Sequence, residues 1–286
     1  MGPGTTGRAV GVVVLVLAAL LGSAYVLGRN LFPDRPRSGP GVTAGVHETE
    51  YADQSGGTDS SEDTPDRAEA GQDPDGHRAT ESPDDGLFGS RVTTGSPEVA
   101  LTFDDGPNPQ YTPQVLEILR EFQVRATFCV VGENVQAHPE LVQAIVADGH
   151  TLCNHSWQHD VQLGSRSPAT IRADLLRTNQ AIHDAVPDAP IAWYRQPGGA
   201  WTYPVVSVAK ELGMTALHWN VDPSDWQAPG ADRIATLVTR DAAPGSVVLL
   251  HDAGGDRQGT VDALRRMLPD LTSRFRLEAL PVDATT

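Results

Sequence analysis

The sequence predicts an α/β fold: a single (β/α) barrel of about seven strands, preceded by a membrane segment and a disordered linker. Three observations carry this. From about residue 97, short apolar runs alternate with helical stretches, the order that makes parallel strands covered by helices. Upstream lies a long polar stretch poor in large apolar residues. Before that, the first 29 residues hold an uninterrupted apolar run with charge only at its edges.

That first run extends from Ala9 to about Leu27, between Arg8 and Arg29. Roughly 18–20 apolar residues are enough to span a bilayer. A cleaved signal peptide is the rival reading, with its apolar core ending near Leu21 and Gly22-Ser23-Ala24 as the cleavage region. Both readings export the rest of the chain, as a membrane-anchored extracytoplasmic domain or as a secreted one. Residues 30–95 are rich in Pro, Gly, Asp, Glu, Ser and Thr and cannot bury enough surface to offset their ordering entropy. Their acidic residues repel one another and extend the segment into a tether. The folded domain is expected over residues 96–286.

Within that domain Val99–Phe103 reads as a buried strand. Helical spacing follows from Tyr111 to Phe122, with Val115, Leu116, Leu119 and Phe122 on one face. Ala126–Val131 is the second strand, Pro139–Ala147 a helix stopped by Gly149, and Thr151–Cys153 a short strand. Ser167-Pro168 opens a long helix to about Ala185, with Pro at the first helical position. Strands at Ile191–Tyr194, Met214–Trp219, Ser246–Leu250 and Phe275–Leu280 then alternate with helices at Pro204–Leu212, Ala231–Arg240 and Gly259–Leu268.

The formal net charge is −16 over 286 residues. Such an acidic chain is a poor partner for nucleic acid, which needs Lys and Arg against its phosphates. Much of the acidity sits in the tether. Cys129 and Cys153 are the only cysteines, too few for a disulfide framework or a structural thiolate zinc site.

The polar residues gather where chemistry gathers in parallel α/β folds, at the C-terminal ends of strands. The first strand ends in Asp104-Asp105-Gly106-Pro107, and the third runs into Asn154, His155 and, four residues on, His159. The fourth ends in Arg195-Gln196-Pro197-Gly198-Gly199. The fifth leads to Asp222, Asp225 and Trp226, and the sixth ends in Leu249-Leu250-His251-Asp252. Two imidazoles four apart lie on one side of a helical turn and can share a metal. A carboxylate from another strand end completes a set that leaves positions open for water and substrate. Of two neighbouring carboxylates, one can bind metal while the other takes a proton. Arg195 can hold a carboxylate through its rigid fork. His251 is a natural general acid, and Asp222 or Asp225 could orient a partner charge.

Together these pieces resemble the polysaccharide deacetylase family, carbohydrate esterase family 4, over roughly residues 97–282. The motifs are Thr102-Phe103-Asp104-Asp105-Gly106, His155-Ser156-x-x-His159, Arg195-x-Pro197-Gly198, Asp222-x-x-Asp225-Trp226 and Leu249-x-His251. The resemblance implies a distorted (β/α) barrel and hydrolysis of N-acetyl groups on a glycan, peptidoglycan N-acetylglucosamine first and chitin oligosaccharides second. Ester-linked acetyl groups on xylan are an alternative, and a non-catalytic glycan-binding module on the same fold is another. It implies Asp104 as general base, with Asp105, His155 and His159 as ligands of a divalent metal, zinc by type. Arg195 would orient Asp104, and a backbone N–H near Gly198 would face the oxyanion. Trp226 and Leu249 would line the acetyl pocket, and His251 would act as general acid tuned by Asp222. Many members carry Tyr where this chain has Gly198, so one wall of the groove lacks an aromatic ring. Cys129 and Cys153 stand where others often have Phe or Gly. They fall on the second and third strands, and a disulfide and a pair of buried thiols both remain open.

Overall fold

The computed structural model describes residues 86–282. The expected membrane segment and the tether up to residue 85 lie outside them. Among the described residues no helix is long and apolar enough to cross a membrane.

Six parallel strands form the sheet among these residues: β1 (Ala100–Asp104), β2 (Thr127–Val130), β3 (Thr151–Asn154), β4 (Trp193–Tyr194), β5 (Thr215–Ala216) and β6 (Val247–His251). Their order is β5-β4-β3-β2-β1-β6. The covering helices are α1 (Thr112–Glu121), α2 (Gly132–Ala137), α3 (Pro139–Ala147), α4 (Pro168–Ala185), α5 (Tyr203–Glu211), α6 (Ala231–Asp241) and α7 (Gln258–Arg274). The sheet curls until its edges share one segment. The chain leaves β5 beside β4, and five residues later Val221 pairs in parallel with Val248 of β6. This parallel, curled arrangement is consistent with a distorted barrel.

Alternation along the strands sorts the side chains into two populations. Leu101, Phe103, Phe128, Val130, Leu152, Val248 and Leu250 point outward into the main core beneath the helices. Ala100, Cys129, Cys153, Trp193 and Val247 point inward and fill the interior. Continuing the inward parity upward brings Asp104, His155, Arg195 and His251 to the C-terminal rim.

Three expectations change. Residues 86–95 belong to the fold and not to the tether. Arg91 bridges Leu217 and Thr93 bridges Ser246, and the Arg91 N–H donates to the Ala216 carbonyl at 2.8 Å. Backbone pairing makes this contact, so no apolar periodicity announces it. The expected strand Phe275–Leu280 reduces to a single bridge, Leu277 with Val99. The last helix runs through Pro269 to Arg274, because Leu271 still packs in the core.

Cys129 and Cys153 are in register on β2 and β3 and are joined as a disulfide. The bridge closes a loop with a sequence separation of 24, for which chain entropy alone predicts about 3 kcal/mol of stabilisation. Denaturant unfolding with and without a thiol reductant should show that loss. Equal stability in both conditions would rule out a structural role for the bridge.

Candidate active site

Asp104 is the last residue of β1, and Asp105 turns away from the strand in the left-handed region at φ 75°. The turn is held by the Asn134 side-chain amide, which donates to the Asp105 carbonyl at 2.8 Å, and by the Val131 N–H, which donates to the Gly106 carbonyl at 2.9 Å. Gly254 packs directly against the Asp105 carboxylate, where any Cβ would overlap Oδ2. Only glycine allows that approach.

His155 and His159 are not on a helical turn. They sit in a loop whose Ser156 and His159 take left-handed conformations, φ 65° and 56°. Side chains set this loop. Asn154 Oδ1 accepts from the Ser156 N–H at 2.9 Å, Asp174 Oδ1 accepts from the Trp157 N–H at 2.9 Å, and the Trp157 indole N–H donates to Glu133 at 3.2 Å. Arg177 stacks over the Trp157 ring, its Cζ 3.6 Å from the centroid. A separation of four therefore brings the imidazoles together through loop geometry and not through helical pitch.

The result is a three-donor cluster of Asp105, His155 and His159, whose candidate ligand atoms all lie within 4.8 Å of one another. His155 Nε2 lies 3.5 Å and His159 Nε2 3.3 Å from Asp105 Oδ1. That oxygen is buried without a hydrogen-bond partner. His155 Nδ1 is 2.8 Å from the Arg195 carbonyl, which can only accept. Nδ1 therefore carries a proton, which leaves Nε2, directed at Asp105, as the nitrogen that can bind a metal. Burial raises the Asp105 pKa, but the neighbouring His155, with His251 and His159 adding to it, outweighs burial and holds the carboxyl well below its usual range. Burial disfavours charge on His155, yet Asp104 and Asp105 pull its pKa upward. Burial, followed by the charge on His155, lowers the His159 pKa and favours its neutral, ligating form. An orphaned buried oxygen facing two imidazole nitrogens is a donor set that fits a divalent metal.

Arg195 lies beneath this cluster with no exposed surface. Its Nη1 donates to Asp104 Oδ1 at 2.7 Å and to the Thr102 hydroxyl at 2.8 Å. Nε and Nη2 reach the carbonyls of Leu217 and His218, both at 3.2 Å. The fork is thus spread over four acceptors and does not close on one carboxylate.

His251, at the end of β6, is in register with Asp104. The resemblance gives Asp222 the role of tuning it, and the structure gives that contact to Asp225. Asp225 Oδ1 lies 2.7 Å from His251 Nδ1, and Oδ2 accepts from the His251 N–H at 2.9 Å and from the Thr260 hydroxyl at 2.7 Å. Asp222 instead accepts from the Ser224 N–H at 2.6 Å, turning its own loop. Spacing alone could not separate two aspartates three residues apart. Burial opposes charge on His251, but the Asp225 hydrogen bond and the negative charges of Asp225, Asp104 and Asp105 overcome it and push the pKa up to about 9.

Asp104, Asp105, His155, His159, Gly198, Asp222, Trp226, Leu249 and His251 all line one cavity of about 440 Å³. Arg195 stays below it. Two further residues support the site from below. Asp252 is fully buried against Gly106 and accepts from Thr112. Burial pushes its pKa up to about 7, against the Thr112 hydrogen bond and with help from the Asp105 charge. Arg257 is buried too. It donates to the carbonyls of Ala253 at 2.6 Å, Gly254 at 3.0 Å and Asp225 at 3.2 Å, tying the loop after β6 to the Asp225 turn.

Residues 91–217 match the polysaccharide deacetylase family model. The chain is 41% identical over 202 residues to a chitooligosaccharide deacetylase of Sinorhizobium fredii, covering 67% of this chain and 94% of that protein. Its fold matches the crystal structure of a peptidoglycan N-acetylglucosamine deacetylase bound to an N-oxidanyl-benzamide. The TM-score is 0.63 at 35% identity, covering 66% of this chain and 89% of the other. It also matches a family 4 carbohydrate esterase pseudoenzyme from Bacillus anthracis, with a TM-score of 0.61 at 28% identity and 66% coverage of each chain.

The Asp225 contact makes a direct prediction. The His251 imidazolium is stabilised by the fold, so its contribution to stability is complete below the ordinary histidine pKa. That contribution fades as the pH rises toward 9. Titration of the His251 ring by NMR should show the raised value in the native protein and a return toward the ordinary histidine range in Asp225→Asn. An unchanged titration in that variant would remove Asp225 from the pair.

Proposed function

Because this chain belongs to the polysaccharide deacetylase family, carbohydrate esterase family 4, we propose that its site removes N-acetyl groups by hydrolysis from an extracellular glycan. Peptidoglycan N-acetylglucosamine or a chitin-type oligosaccharide is the substrate. One observation carries the reading: a three-donor metal cluster opens into the same cavity as a carboxylate, Asp104, and a histidine with a raised pKa, His251.

Asp105, His155 and His159 would hold the divalent metal, zinc by the nitrogen and carboxylate character of the donors. Bound there, it supplies Lewis-acid polarisation of a carbonyl and a lowered pKa for water. The chain's own residues do the rest. Asp104 accepts the proton of the attacking water, with Arg195 keeping the carboxylate aimed. The backbone of the turn at Gly198 faces the oxyanion, a role that needs no side chain. Leu249 and Trp226 receive the acetyl methyl. As the carbon–nitrogen bond breaks, His251 passes its proton to the departing amine, with Asp225 keeping the imidazole protonated and oriented. Acetate and a free amine are the products.

A leaving amine must be protonated as it departs, and His251 lines the cavity where that proton is needed. A non-catalytic role, as in a pseudoenzyme, would leave the intact set of base, ligands and acid without a purpose. The Cys129–Cys153 disulfide suits an oxidising compartment and supports export of the domain, anchored or secreted through the N-terminal apolar run.

Asp104→Asn should lower acetate release from N-acetylglucosamine oligomers at least about a hundredfold while metal content stays at the wild-type level. Near-normal turnover in that variant would remove Asp104 as base. His155→Ala should lose bound metal and acetate release together, read by elemental analysis alongside the assay. Full activity in metal-free protein would end the metal reading. Parallel assays on peptidoglycan, chitin oligomers and acetylated xylan identify the glycan.

A further inference from the structure

The cavity has an aromatic wall that the chemistry above does not use. Trp219 lies on the segment that crosses from β5 to β6, half-buried, and lines the cavity beside Gly198 and Gly199. Its indole is clamped. The His218 ring lies 4.3 Å away between centroids, and the Arg195 guanidinium carbon is 5.6 Å from the indole centroid. On a further side it meets the turn Pro197–Gly199, where a Cβ on Gly199 would stand 2.8 Å from the indole Cη2. Both glycines of that turn have φ 62°, and neither brings a side chain between the indole and the cavity. A bulkier residue at 199 would have to displace the ring.

The consequence is an aromatic surface held in place in the wall of the cavity that Asp105, His155 and His159 also line. A β-linked hexopyranose with equatorial substituents presents a face of axial C–H groups, which packs on an aromatic face. We propose that Trp219 is a specificity-determining residue: a pyranose ring of the glycan stacks on its indole, and the Gly198-Gly199 pair keeps that surface open. The proposal rests on the deacetylase reading for the identity of the glycan. Trp226, also at the cavity and 53% exposed, receives the acetyl group in that reading, so the two tryptophans divide the work.

The test is calorimetric binding of chitotetraose to the full-length, zinc-loaded chain in an Asp104→Asn background, with Trp219 intact or changed to Ala, Leu or Phe. Phe keeps an aromatic face and should bind within about threefold of the parent. Leu fills the packing against His218 but has no π face, and it should weaken binding about tenfold, as Ala does. In the active enzyme the same loss should appear in KM for chitotetraose, with kcat changed by no more than about twofold. Equal binding by the Leu and Phe variants would overturn the proposal, as would a kcat loss without a KM change or no measurable binding to the parent. Binding in the expected order while wild-type enzyme releases no acetate would overturn the deacetylase reading and leave the stacking surface standing.

Discussion

A fully buried guanidinium organises the rim of this curled parallel sheet. Arg195 has no exposed surface, and its only charged contact within 4.0 Å among the described residues is Asp104. A charge in that position costs several kcal/mol unless its partners are all in place. The partners come from separate parts of the chain: Thr102 and Asp104 on β1, and the carbonyls of Leu217 and His218 beyond β5. The Arg195 carbonyl in turn fixes the tautomer of His155. One side chain and its own carbonyl therefore join the proposed base to a proposed metal ligand. Neither can move without stranding a buried polar group.

Strand parity makes this possible. In a parallel sheet with in-register neighbours, inward positions stack in layers. The lower interior is apolar, with Ala100, Val247, Trp193 and the Cys129–Cys153 bridge. The rim layer is polar because it can reach solvent on one side. Asp104 and His251 are direct register partners, which places the proposed base and acid side by side across adjacent strands. The remaining groups depend on backbone that leaves the strand in left-handed conformations, at Asp105, Ser156 and His159. Such residues persist where the surroundings over-determine them. Asn134, Asp174, Glu133 and Arg177 do so here.

Much of this is legible in the chain's local patterns. The strands at Val99–Phe103, Ala126–Val131 and Ser246–Leu250 are short apolar runs, and they form within a residue or two of the bounds read. Elements held by backbone pairing alone leave no such trace. Residues 91–93 dock onto Leu217 and Ser246 without an apolar pattern, and Phe275–Leu280 carries the pattern but pairs at one residue. The site shows the same division. Asp105, His155 and His159 are recognisable as donors, but the spacing of the two histidines suggests a helical turn where the chain forms a loop. The partner of His251 needs three dimensions, because Asp222 and Asp225 have the same chemistry and sit in one loop. Asp252, Arg257 and Trp219 show their surroundings only once the loops after β5 and β6 are folded together.

The sequence by itself determined the alternation of strands and helices, and with it the end of the sheet at which chemistry would gather. It also determined which residue types were there to perform it. Both come from local rules, since apolar period sets the elements and strand polarity sets the functional face. Only the tertiary structure decided the remaining pairings: Asp225 with His251, Arg195 with the Leu217 and His218 carbonyls, Cys129 with Cys153, and Trp219 against Gly199. Each joins residues far apart in the chain, and each depends on strand register and on loop conformations that side chains from other elements impose. Short-range pattern carries no information about either.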